Sequence, residues 1–306
     1  MNLNALFKPE YIFQPSKLLN KLLPESLDSN REFAQEALPW GVKIRVRPYE
    51  EHGKILSTLG VIDLAVTEAL FRLTDKGEVA VDVGANIGYM TSILSVGVGK
   101  NGKVVAFEAH PEIFNELKFN IQDWFQAHSI SNIEINHLAV SDSTGELELF
   151  IPLDFQTNRG LASVQKEKGN TEYNSIKVLS TSLDDRFIDQ KIGVFKLDVE
   201  GHELSVLRGA KRLLQQKKIR DCIFEEHENY PTPTTKFLEE MGYTIFRIHR
   251  HLFGLTLLSP NSLVPRISWL PTSFLATTEP KRALDRCKSR GWNCLKRKNT
   301  TSNYTN

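Results

Sequence analysis

The sequence is short of several things, and each shortage closes off a class of protein. It has three cysteines in 306 residues, Cys222, Cys287 and Cys294. An odd count without metal-ligand spacing argues against a disulfide framework or a zinc site, and predicts a reducing, cytoplasmic setting. No apolar run approaches the roughly 20 residues of a membrane span, so no transmembrane segment is expected. The first ten residues lack the basic region and apolar core of a secretory leader. The glycosylation sequons at 299–301 and 303–305 therefore carry no weight. Charge of one sign is missing too: 38 basic against 37 acidic residues leave +1, so no global field recruits nucleic acid. No internal repeat appears.

What is present centres on residues 79–91, Val-Ala-Val-Asp-Val-Gly-Ala-Asn-Ile-Gly-Tyr-Met-Thr. The first five residues read as a buried parallel strand, and an apolar helix follows Gly88 to about Val98. A strand feeding a helix through a glycine turn is how doubly wound sheets present ligands at their carboxyl edge. Gly84 and Gly88 are expected to let a cofactor approach the backbone. A second buried strand, 104–107, ends at Glu108, 24 positions after Gly84, where a carboxylate can grip a ribose diol. The spacing is G-x-x-x-G, not the G-x-G-x-x-G of a pyrophosphate dinucleotide, and Asp82 precedes it. An acid there repels a pyrophosphate and suits the amino group or sulfonium of S-adenosylmethionine (SAM), which is favoured over a nicotinamide cofactor.

Further strands are predicted at 133–140, 146–151, 176–180, 194–198, 222–227, 243–248 and 274–278. Helices are predicted at 55–73, from Pro111 onward, at 204–215 and at 234–241. The pattern is α/β, a mostly parallel sheet flanked by helices. Residues 1–54 read as an N-terminal cap or extension. Within it, residues 11–23 are amphipathic, and a docked or loose cap is favoured there over a membrane-surface helix. Residues 55–280 read as the main domain, and 281–306 as a basic, solvated, disordered tail. The polar stretch 152–174 is long enough for a lid or substrate loop. Ser141 and Asp142, at a strand end, are placed against an adenine or in a turn.

Two stretches together resemble a known family. Val-Asp-Val-Gly-Ala-Asn-Ile-Gly-Tyr at 81–89 with Phe-Glu-Ala-His-Pro at 107–111 is similar to class I SAM-dependent methyltransferases. Phe-Lys-Leu-Asp-Val-Glu-Gly-His-Glu-Leu-Ser-Val-Leu-Arg-Gly-Ala at 195–210 resembles the signature of the FkbM-type methyltransferases. Leu-Ala-Val-Ser-Asp at 138–142 and Ser-Leu-Asp-Asp at 182–185 fit the same spacing; the likeness covers roughly 55–280. One departure stands out: residues 61–70 lack the Tyr-Glu pair expected there.

The resemblance implies a Rossmann-like, seven-stranded sheet with helices on both faces and its last strand antiparallel. It implies SAM as cofactor and a methyl transfer, commonly to a hydroxyl oxygen of a small molecule, sugar or polyketide-like acceptor. Carried over by position, Gly84, Ala85, Asn86 and Gly88 line the methionine end and Glu108 holds the ribose. Asp82 orients the loop or the amino group, and Asp198 faces the point of transfer.

Methyl transfer from a sulfonium is an in-line displacement, and a hydroxyl acceptor must lose its proton. His202 or Asp198 is the expected base, with Glu200 orienting it; the alternative is that Glu200 and His202 cap the following helix or anchor the lid. A divalent cation on Asp198 with Glu225 or Glu226 is the weaker reading, and no metal is expected. His227 and residues 249–251 read as ordinary polar positions. A non-catalytic SAM-binding or protein-interaction module and a nucleic-acid methyltransferase remain the alternative functions. The latter would want a basic face interleaved with aromatics, and the basic residues here gather in the tail.

Overall fold

The structure is a computed structural model in which residues 8–17, 32–153, 155, 159–164, 173–263 and 271–296 are described. The predicted amphipathic segment beyond Lys17, most of the 152–174 stretch and the last ten residues lie outside that set.

Thirteen strands are described: β1 Ala34–Ala37, β2 Lys43–Val46, β3 Val79–Val83, β4 Lys103–Phe107, β5 Ile133–Asn136, β6 Ala139–Val140, β7 Gly145–Pro152, β8 Tyr173–Thr181, β9 Ile192–Leu197, β10 Ile219–Glu226, β11 Thr244–His251, β12 Gly254–Leu258 and β13 Thr272–Thr277. The main sheet has the order β12-β11-β13-β10-β9-β3-β4-β5. Strands β5, β4, β3, β9 and β10 pair in parallel, and β13 is antiparallel to both β10 and β11. This is the Rossmann-like arrangement with its last strand reversed. An eighth strand, β12, comes from residues that read as an irregular connection; it closes a hairpin on β11 through Gly254.

The sheet is covered on both faces, which is why its strands read as apolar runs without alternation. Ala80, Val104, Val194, Ile223 and Leu275 bury into one layer with the helices Leu64–Leu73 and Tyr89–Val98. Val81, Val83, Phe107, Leu197 and Phe224 bury into the other, with Val206 and Leu207 of the helix Glu203–Arg208. The chain leaves β3 towards β4 and β5, then returns on the other side of β3 as β9. That reversal opens a crevice beyond the carboxyl ends of β3 and β9, the usual ligand position in an open α/β sheet.

Several elements differ from their predicted form. The 55–73 helix is two, Glu51–Leu59 and Leu64–Leu73, because Gly60 adopts a left-handed φ of 77° and Asp63 caps the second helix. The 204–215 helix likewise divides into Glu203–Arg208 and Lys211–Gln215. The 133–140 strand breaks into β5 and β6, and β6 joins β8 and β7 in a separate three-stranded sheet. In the N-terminal extension, Leu38, Trp40, Val42, Ile44 and Val46 share the first core layer. Trp124 Nε1 donates to the Lys43 carbonyl at 2.6 Å, and Trp40 Nε1 to Ser92 Oγ at 3.0 Å.

The basic stretch from 281 corrects the expected disordered tail as far as residue 296. Pro280–Cys287 is a helix, and Ala283, Cys287, Trp292, Cys294 and Leu295 are buried in the first core layer. Burying one large apolar side chain contributes about 1.5–3 kcal/mol, enough to order such a segment. Its charges are partnered as well: Arg282 meets Asp221 at 3.0 Å. All three cysteines are free and buried. Among the described residues no helix is long and apolar enough to cross a membrane.

Candidate active site

The crevice is a cavity of about 750 Å³, within the range of roughly 300–1,000 Å³ usual for small-molecule sites. Its floor is the strand ends. Val83 to Ile87 end and follow β3, Phe107 to Ala109 end and follow β4, Lys196 to Glu200 end and follow β9, and Phe224 and Glu225 lie near the end of β10.

The turn after β3 is tied up internally. The Gly84 and Ala85 N–H groups both donate to the Phe107 carbonyl, at 3.1 and 2.9 Å, and Gly88 N–H donates to Ala85 at 2.9 Å. Asn86 N–H donates to Glu108 Oε2 at 2.9 Å, and Ile87 N–H to the Asn86 side chain at 2.7 Å. Every N–H from 84 to 88 thus has an acceptor. A pyrophosphate needs open N–H groups at such a turn, and this one offers none. The donor set fits SAM, which carries no phosphate.

The glycines have a different cause from the expected one. At Gly84, φ 75°, a Cβ would lie 1.8 Å from the Asp198 carbonyl oxygen; at Gly88, φ 97°, it would meet Leu117 and Trp124. Neighbouring chain, rather than an approaching ligand, fills the space a side chain would need.

Glu108 is buried and lines the cavity. Besides Asn86, it accepts His110 N–H on Oε1 at 2.8 Å. Burial pushes its carboxyl up, against those two donors and Lys196, which pull it down. Each oxygen accepts one backbone bond, so each keeps a lone pair for a ligand hydroxyl.

Asp82 does not line the cavity. It is fully buried, accepts Thr91 Oγ1 on Oδ2 at 2.6 Å, and has Lys196 Nζ 3.9 Å from Oδ1, which has no hydrogen-bond partner among the described residues. Burial pushes it up; Lys196 and Thr91 oppose that. Its place is beneath the loop, and direct contact with an amino group is not what this geometry provides. Ser141 and Asp142 are also off the wall: the first is buried, the second exposed, and the preceding Leu138, Ala139 and Val140 line the cavity.

All three expected catalytic residues, Asp198, Glu200 and His202, line the cavity. Asp198 has its carboxylate partly exposed and 3.1 Å from Lys196 Nζ. His202 has its Nε2 hydrogen-bonded to Ser141 Oγ at 2.9 Å and its Nδ1 buried and unpartnered among the described residues. Burial lowers its pKa, keeping the ring neutral. Glu200, at φ 47°, accepts Ser163 Oγ on its carbonyl at 2.6 Å, and its carboxylate is 3.9 Å from His227. The turn carrying both residues is held by Glu203, which accepts the Val199 and Gly201 N–H groups at 3.2 Å each.

Sequence reasoning missed two site residues, Lys196 and Asp63, and considered Glu225 only as a cation ligand. Lys196 sits inside β9 with its ammonium at the floor; burial would strip its charge, but Asp198 and Asp82 outweigh burial and hold it at about 12. Glu225 is raised well above the ordinary carboxyl range by burial, then by Asp198 and by Asp63, its hydrogen-bond partner. Asp63 caps the helix Leu64–Leu73, accepting the Ala65 and Val66 N–H groups at 3.1 and 3.0 Å. That helix and the preceding one, through Glu51, His52, Ile55, Ile62 and Val66, form the wall where the Tyr-Glu pair was absent. The signal was an ionisable residue within an otherwise apolar strand, which is costly unless partnered. Among the described residues no group of three or more His, Cys, Asp or Glu side chains is arranged to hold a metal ion.

A family model, the methyltransferase FkbM domain, matches residues 82–245. The chain is 30% identical over 210 residues to the hexuronic acid methyltransferase AglP of Haloferax volcanii, covering 67% of this chain and 79% of that one. Among solved structures it is similar to methyltransferase FkbM from Methylobacillus flagellatus, with 21% identity and a TM-score of 0.42. That match covers 66% of this chain and 43% of the other, less than half its length. It is also similar to a SAM-dependent O-methyltransferase from Thermotoga maritima, with 12% identity and a TM-score of 0.40, covering 83% and 96% of the two chains.

Proposed function

Because this chain belongs to the FkbM methyltransferase family and is a SAM-dependent enzyme, we propose that it methylates a hydroxyl oxygen of a sugar-like acceptor. SAM, when bound, supplies a methyl group on a sulfonium sulfur, an electrophile that needs alignment and a nucleophile. The residues that would hold it are the turn 84–88, closed to phosphate, and Glu108, whose two oxygens suit a ribose diol. Leu138 to Val140 offer an apolar wall for the base.

The observation that carries the hydroxyl assignment is the acid pair at the far end of the floor. Asp198 directly follows β9 and Glu225 is the penultimate residue of the adjacent β10, both on the cavity wall. The Asp198 carboxylate there disfavours a carboxylate acceptor and favours a neutral group that has a proton to give up. Asp198, paired with Lys196, takes that proton. Glu225, whose pKa burial and Asp198 raise, is a hydrogen-bond donor to the acceptor in its protonated form. His202, bonded to Ser141 Oγ, is a positioning residue on the same wall. The acceptor wall includes Arg247, His249, Thr272 and Ser273, a polar surface suited to a polyhydroxylated ring. The Haloferax relative is named for a sugar acid, which supports a sugar acceptor and does not choose between its hydroxyls and its carboxylate.

The test is Asp198→Asn, assayed with SAM against a panel of monosaccharides and methyl glycosides. Turnover is expected to fall at least about 100-fold, with SAM affinity within threefold of wild type. Undiminished turnover would remove Asp198 from this role.

A further inference from the structure

We infer that Lys196 is a positioning residue that ties the cofactor loop to the transfer-point carboxylate, so that the two half-sites are set by one ammonium. The inference rests on the reading of Asp198 given above and adds what holds Asp198 in register with the cofactor.

Lys196 is the penultimate residue of β9, and its Nζ is 3.3 Å from the Gly84 carbonyl, 3.1 Å from Asp198 Oδ2 and 3.9 Å from Asp82 Oδ1. Those three groups belong to two neighbouring parallel strands and the turns that follow them. The strands are registered there, with Asp82 beside Lys196 and Val83 beside Leu197. The Asp198 N–H donates to the Val83 carbonyl at 3.1 Å, and the Asp198 carbonyl fills the space where Gly84 lacks a side chain. Loop and acid therefore touch through backbone above and are bridged by a cation below.

The geometry has a consequence for the loop's polarity. All the N–H groups of 84–88 point inward to acceptors, while the Gly84 carbonyl takes its hydrogen bond from Lys196. The lysine thus fixes the orientation of the first peptide of the turn. A buried ammonium needs more than one acceptor to offset its desolvation. Here its donors go to one group on the cofactor side and one on the acceptor side. Neither a cofactor loop nor a base built alone would require that division.

The test uses Lys196→Met, which keeps length and loses charge, and Lys196→Arg, which keeps charge. The methionine variant strands the buried Asp82, so Lys196→Met combined with Asp82→Asn is measured beside it. Titration calorimetry with SAM is the first readout. Methyl transfer from SAM to methyl glucuronide at saturating SAM is the second, in wild type, Asp198→Asn, Lys196→Met and their combination.

The expected result is a SAM Kd raised about tenfold in both methionine backgrounds. Turnover in Lys196→Met should fall to the level of Asp198→Asn, with no further loss when the two are combined, because both remove one function. Lys196→Arg should recover most of both effects. A methionine variant with wild-type SAM affinity and a lowered melting temperature would assign Lys196 a merely structural role and overturn the inference. So would losses that multiply in the combined variant. If Asp198→Asn turns over normally, the base reading fails on its own, and the SAM titration still decides whether Lys196 holds the loop.

Discussion

Glu108→Gln is the substitution whose cost can be worked out most fully. The side chain is 8% exposed, and its two oxygens accept Asn86 N–H and His110 N–H at 2.9 and 2.8 Å. An amide has the same shape but one oxygen. However it flips, its NH2 faces one of the two N–H groups, donor against donor. The orphaned backbone donor costs about 1–3 kcal/mol of stability. On the ligand side, a ribose hydroxyl loses a charged acceptor, worth about 1.5–3 kcal/mol. That corresponds to a SAM Kd raised about 10- to 100-fold, since each decade is about 1.4 kcal/mol. Calorimetry with SAM separates the affinity loss from the stability loss, which a thermal melt reads as a drop of several degrees. The same group predicts that SAM affinity weakens on acidification at a pH above the ordinary glutamate range, because burial raises its pKa. A folded Glu108→Gln protein that binds SAM within twofold of wild type would refute the diol role.

Three further outcomes follow from the contacts. Gly84→Ala places a Cβ on the Asp198 carbonyl at a positive φ; it should lower the melting temperature and abolish measurable SAM binding, and a variant that binds normally would contradict the packing described. His110 is held at about 4, chiefly by burial, below the ordinary value near 6.5. The unfolded chain then binds more protons between these values, so this group's stabilisation is full above about 6.5 and fades as the pH falls towards 4. Melts from pH 7 to 4.5 should show that loss, reduced in His110→Asn. Arg72 reaches the carbonyls of Cys287, Ser289 and Gly291 at 3.1, 2.7 and 2.7 Å and pairs with Glu68 at 2.6 Å. Arg72→Met strands a buried carboxylate and should cost about 3–5 kcal/mol, releasing residues 280–296 to limited proteolysis.

Much of the fold was legible because parallel strands buried on both faces write themselves as Val- and Ile-rich runs. β3, β4 and β9 fall within two residues of their expected bounds, and β10 within three. Residues directly after such strands, Gly84, Asn86, Glu108 and Asp198, could be placed at the crevice for the same reason. What failed was anything depending on a distant partner. Lys196 meets Gly84, 112 positions away, and nothing local signals that contact. Glu225 read as a strand-end acid, yet Asp63 and Asp198 decide its state. The C-terminal segment read as a tail on its charge, because Asp75 and Asp221, which neutralise Arg282, lie far back in the chain. Ser141, expected at an adenine or in a turn, is buried and bonds His202, 61 positions away, a contact that nothing local signals.

The central claim, that a sugar hydroxyl is the acceptor, is tested most directly by methyl transfer from carbon-13-labelled SAM to methyl glucuronide, with the product read by NMR. The acid pair at the transfer point predicts a labelled methyl ether and an untouched carboxylate. A labelled methyl ester would place a carboxylate against Asp198 and Glu225, and contradict the account.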